Sequence, residues 1–136
     1  MRSLTRRLSI PLTPKTAAYG EAFEHFILLE FIRLGSYFQP DYRFSFMRTA
    51  GGVEVDLVIE RPGKKLLCIE VKSSDTINAS DMSAFIKITK DIECEAIVLS
   101  QDRFMKKFDH VVCYPWKQGI TECFPELKAR ALSSLK

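Results

Sequence analysis

Apolar positions recur at Phe23, Phe26, Ile27, Phe31 and Leu34, close to the 3.6-residue period, and predict a helix over 16–34 that Gly35 ends. From 40 to 48 the pattern changes to alternation, with Tyr42, Phe44 and Phe46 separated by polar residues, which reads as a strand. Two β-rich runs, VEVDLVIE and KLLCIEVKSS, then flank the breaker RPGK and predict a hairpin. A second helix is expected over 78–90, with Asn78 or Ser80 as its N-cap. EAIVLS at 95–100 and DHVVCYP at 109–115 read as short strands, and the chain from Trp116 onward reads as partly helical, interrupted by Pro125. The order α-β-β-β-α-β-β implies an α/β fold, a mixed sheet with helices packed on it.

Length and composition bound the picture. The 136 residues, 46% hydrophobic and 27% charged, are one ordinary globular domain's worth of chain. No apolar run approaches the ~20 residues of a membrane helix, and the N-terminus lacks the apolar stretch of a secretory signal, so a cytoplasmic protein with no membrane partner is expected. The net charge of +3 conceals an asymmetry: residues 1–15 carry Arg2, Arg6, Arg7 and Lys15 and no acid, whereas 16–136 are close to neutral. The expected organisation is a basic arm at 1–15 ahead of a single domain at 16–136. The arm suits either phosphate contact or plain solvation. Cys68, Cys94, Cys113 and Cys123 form no C-x-x-C pair and sit largely in apolar runs, so they read as reduced, structural thiols.

The hairpin decides the chemistry. A two-residue Pro62-Gly63 loop would set Asp56 opposite Ile69 and mix charge with core, whereas an odd loop or a bulge pairs 56 with 70. The second register gathers Val53, Val55, Leu57, Ile59, Leu67, Ile69 and Val71 on one apolar face, and burial selects it. It also sets Asp56 and Glu70 side by side, Cβ atoms about 4.5–5.5 Å apart, with Lys72 two residues on along the same face. Two carboxylates this close repel unless a cation lies between them, and Mg²⁺ or Mn²⁺ is the natural one. Lys72 would then hold the attacking water or screen charge developing on a phosphate. Acid–lysine alternation is also common on solvated strands. Here, however, the charges begin where the apolar LLCI emerges, and Glu24 lies at the edge of the helix's apolar stripe.

Asp56, a 13-residue gap and Glu70-Val71-Lys72 resemble the PD-(D/E)xK nuclease superfamily, with Glu24 as the acid on its first helix. GEAFEHF at 20–26, Arg48-Thr49, GGVEVD at 51–56, IEVKSSD at 69–75, IVLS at 97–100 and Pro115-Trp116 are similar to the C-terminal nuclease-like domain attached to many prokaryotic AAA-type ATPases, over roughly residues 8–125. The resemblance implies a restriction-endonuclease-like core and a Mg²⁺-dependent DNA endonuclease. In it Asp56, Glu70 and the Val71 carbonyl would hold the metal, Lys72 would orient water, and Glu24 would act on metal or water indirectly. The motif's proline is Val55 here, and no G-x-x-x-x-G-K-[ST] phosphate loop is present, so an ATPase would be a partner or a missing domain.

Around this site Arg48 and Lys87 are candidate phosphate contacts. Trp116 with Tyr114 suits core packing more than base stacking. The competing function is a non-catalytic DNA-binding or interaction module on the same fold; a regulatory partner of an ATPase is a third. A homodimer fits a nuclease that cuts two strands, although nothing in the sequence marks an interface.

Overall fold

A computed structural model describes residues 17–48 and 54–127; the basic arm and Gly51-Gly52 fall outside them. The elements are α1 (Ala17–Phe38), β1 (Arg43–Arg48), β2 (Glu54–Glu60), β3 (Leu67–Val71), α2 (Ala79–Ile92), β4 (Glu95–Ser100), β5 (Lys106–Phe108), β6 (Val111–Pro115) and α3 (Trp116–Cys123). Six strands form one mixed sheet in the order β1-β2-β3-β4-β6-β5, parallel at β3–β4 and β4–β6 and antiparallel elsewhere. The fold is α/β. Among the described residues no helix is long and apolar enough to cross a membrane.

The helices divide between the two faces of the sheet. Ile27, Phe31 and Leu34 of α1, with Ile120 of α3 and Phe124 after it, pack on Leu57, Ile59, Leu67, Ile69, Val71 and Leu99. On the other face Met82 and Phe85 of α2 pack on Val58, Cys68, Ala96, Val98, Val111 and Cys113. Asn78 caps α2: its side chain accepts from the Asp81 N–H while the Asp81 carboxylate accepts from the Asn78 N–H at 3.0 Å. All four cysteines are unpaired thiols. Burial pushes Cys68 up to about 12 and Cys113 up to about 11, so they serve as packing groups.

Gly35 does not end α1, which runs to Phe38. Its role is steric: a Cβ there would run into the Phe44 ring of β1. Gly35→Ala is therefore expected to cost about 2 kcal/mol, the scale of an overpacked core, with the loss read as a lower urea midpoint at unchanged slope. The short strand β5 was not expected. Its sequence, Lys106-Lys107-Phe108, has neither alternation nor an apolar run, because it forms a sheet edge where charge discourages further pairing.

Candidate active site

β2 and β3 pair as Leu57↔Ile69, Val58↔Cys68 and Ile59↔Leu67, the register that an odd loop produces. The turn has Pro62 followed by Gly63 at φ 73°, closed by the Lys64 N–H donating to the Arg61 carbonyl at 3.1 Å. Proline then glycine with positive φ is the pattern of a type II turn.

One expectation about this hairpin needs correction. Val55 belongs to the α2-side core and Leu57 to the α1-side core, so the alternation breaks between them. The cause is a bulge: Ser45 pairs with Val58 but Met47 with Val55, leaving Phe46 opposite both Asp56 and Leu57. Asp56 thereby faces α1, where it lines a groove of about 310 Å³ with His25, Leu28 and Ile32. Glu70 alternates with Ile69 and Val71 and so leaves β3 on the Cys68 side. The two acids start from opposite faces rather than sharing one.

They converge nonetheless where β2 departs from β3. Asp56 Oδ2 accepts the Val71 N–H at 2.8 Å, so the carboxylate lies against the Glu70–Val71 peptide. In an extended strand a residue's N–H and C=O point to the same edge, so the Val71 carbonyl also faces this gap. Lys72 Nζ lies 3.3 Å from Glu70 Oε1, and its own N–H donates to the Leu99 carbonyl at 2.8 Å. Glu70 Oε2 is buried and has no hydrogen-bond partner among the described residues. A buried orphan acceptor is costly unless a further group completes it.

Electrostatics join Glu24 to this cluster. Burial, then the charge of Asp56, pushes the Glu24 carboxyl up to about 7, with Lys72 opposing and Glu21 and Glu70 adding to the rise. Glu70 is likewise raised, by burial first and also by Asp56, against the pull of Lys72. The site is short of positive charge. Its donors are two carboxylates and a backbone carbonyl, a set suited to a hard cation that keeps several waters. Among the described residues no group of three or more His, Cys, Asp and Glu is arranged to hold a metal, so Glu24 does not complete a three-carboxylate cage.

The raised Glu24 has a pH signature. Its proton is held more tightly in the folded chain, so this contribution to stability is full below about pH 4.5 and lost as pH rises through about 7. Glu24→Gln should therefore melt higher than the parent at pH 8, by about 4 °C for roughly 1 kcal/mol after solvent screening, and show no such gain at pH 4.5. Melting curves at the two pH values check this.

The other candidates fall elsewhere. Lys87 is exposed on α2, away from the buried Met82, Phe85 and Thr89 stripe, and is not among the charges acting on Glu24 or Glu70. Arg48 ends β1 opposite Glu54, and its side chain lies outside the described residues. Trp116 packs edge-on to Phe23 and Phe26, ring centroids 6.3 and 5.7 Å away, which is a packing role.

Two supporting residues, Gln101 and Asp102, carry no motif in the sequence. Gln101 donates its side-chain amide to the Ser73 carbonyl at 3.2 Å and its backbone N–H to the Ser74 carbonyl at 3.1 Å, and it accepts from the Tyr19 hydroxyl at 3.0 Å. It ties α1 to the segment that follows Lys72. Asp102, which is buried, accepts from the Ile77 N–H, the Phe104 N–H and Lys106 Nζ. The only sequence signal is a polar pair straight after the apolar β4.

No curated protein and no solved structure shows a significant match to the chain. Residues 19–118, which include Glu24, Asp56, Glu70, Lys72 and all six strands, match the family described as a domain of unknown function, DUF4143, and the chain belongs to that family.

Proposed function

We propose that this domain is a divalent-cation-dependent nuclease that hydrolyses phosphodiester bonds of DNA, with Asp56, Glu70 and Lys72 at its centre. The observation that carries the reading is the buried, unpartnered Glu70 Oε2 beside Lys72, with Asp56 fixed against the next peptide. Asp56, Glu70 and the Val71 carbonyl would hold Mg²⁺ or Mn²⁺. Such an ion, when bound, polarises a phosphoryl oxygen and acidifies water. The Val71 N–H orients the Asp56 carboxylate. Lys72, anchored beside Glu70, directs its ammonium at a water or at charge building on the phosphate. Glu24, half ionised near neutral pH, can orient that water and exchange a proton with it.

This reading extends to a PD-(D/E)xK ancestry, an ATPase partner or companion domain and a homodimer, which follow from the resemblance, and to the cytoplasmic setting expected from the hydropathy of the sequence. Incubating purified protein with linear, circular and branched DNA and either Mg²⁺ or Mn²⁺ tests it: cleavage supports it, and intact DNA in every case counts against it. A second reading, a non-catalytic DNA-binding module, draws support from the lack of a three-ligand cluster among the described residues. On that reading Asp56→Ala leaves metal-free DNA binding unchanged or tighter, and no cleavage is seen.

A further inference from the structure

The loop joining β4 to β5 presents two adjacent large apolar side chains to solvent, Phe104 at 70% and Met105 at 57% exposure. The presentation is built in. The buried Asp102 carboxylate accepts from the Ile77 N–H at 3.0 Å, the Phe104 N–H at 3.0 Å and Lys106 Nζ at 2.7 Å, and the Asp102 N–H donates to Ser100 Oγ at 3.1 Å. The loop is also anchored to the candidate site, because Gln101 bonds to the Ser73 and Ser74 carbonyls just beyond Lys72. Because β3 and β4 run parallel, the loop leaves the sheet at the same end as Glu70 and Lys72.

The flanking charge selects the occupant. From 103 to 108 the sequence is RFMKKF, with three cations and no acid. Lys106 is committed to Asp102 and to the Ile77 carbonyl, whereas Arg103 and Lys107 are exposed. Apolar side chains between outward cations match a polyanion whose interior is apolar and stacked: cations meet phosphates, and a Phe or Met enters or caps a base step.

We propose that the Phe104–Met105 tip is a wedge that stacks on or between bases of the DNA bound at the Asp56–Glu70–Lys72 site, selecting distorted or unpaired DNA over a regular duplex. This inference rests on the nuclease reading. The test uses the full chain in EDTA, so that binding is scored without cleavage, on regular and bulge-containing duplexes carrying 2-aminopurine. The parent should bind the bulged DNA more tightly and raise 2-aminopurine fluorescence several-fold. Phe104→Ala with Met105→Ala should bind bulged DNA about tenfold more weakly, lose the fluorescence rise, and keep the parent's melting temperature, since both side chains are exposed.

Unchanged affinity and fluorescence in the double variant, with DNA still bound, overturn the wedge and leave the nuclease reading standing; the tip then faces a protein partner. No DNA binding by the parent, and no cleavage with Mg²⁺ or Mn²⁺, overturns both.

Discussion

Asp56→Asn is expected to lower DNA cleavage by about a thousandfold, the scale of losing a charge that organises a phosphoryl-transfer site. The substitution is close to isosteric, and its amide oxygen can still accept the Val71 N–H that Asp56 Oδ2 accepts at 2.8 Å. Local structure should therefore survive. Stability should hold or rise at pH 8, because one of the carboxylates that elevate Glu24 and Glu70 has been neutralised. Lys72→Met should act in the same direction on cleavage for a different reason: it removes the ammonium beside Glu70 and leaves that acid less compensated. The two variants together separate a lost reaction from a lost fold. Single-turnover cleavage and melting temperature, measured on the same preparations, are the readouts. Cleavage by Asp56→Asn at the parent's rate would move the chemistry away from this cluster.

The second large effect concerns Asp102 and is one of stability. Its carboxylate is buried and accepts two backbone N–H groups and the Lys106 ammonium. Burial alone would raise its pKa, but the bonds from Lys106, Phe104 and Ile77 outweigh it and hold the group at about 2. A depressed folded value means stability that is present above pH 3.8 and lost as pH falls through about 2. Asp102→Asn leaves Lys106 facing a neutral group in a partly buried setting. Breaking a buried pair from one side costs about 3 kcal/mol, or roughly 10 °C in a chain of this size. The variant should also lose part of the parent's acid-induced destabilisation between pH 4 and 2. An unchanged melting temperature at neutral pH would mean that the two segments it joins, at Ile77 and at Phe104, are held by other contacts.

Much of this architecture could be read from the chain because burial dictates it. The β2–β3 register followed from asking which pairing keeps Leu57, Ile59, Leu67, Ile69 and Val71 together, and those five do share one core. The capping box at Asn78 and Asp81 was legible in part, since short polar side chains at a helix start have few other uses. What escaped was local and steric. A bulge changes one residue's face without altering composition, so strict alternation placed Val55 with Leu57 and set Asp56 on Glu70's face. Gly35 reads as a helix end in sequence, whereas here it makes room for an aromatic ring that is distant in the chain. Gln101 reaches the Ser73 carbonyl and Asp102 the Ile77 N–H across 28 and 25 residues of chain, and no spacing rule reaches that far.

The bulge also changes what the cluster demands. Because Asp56 and Glu70 come from opposite faces, they can share a ligand only in the gap where β2 leaves β3, against the Glu70–Val71 peptide. Crystals soaked in Mn²⁺ and measured at its absorption edge test that most directly. The expected result is one anomalous peak about 2.2 Å from carboxylate oxygens of both Asp56 and Glu70, lost in Glu70→Gln. A map with no peak in that gap, or with manganese bound only elsewhere, would contradict the shared-cation site and the nuclease built on it.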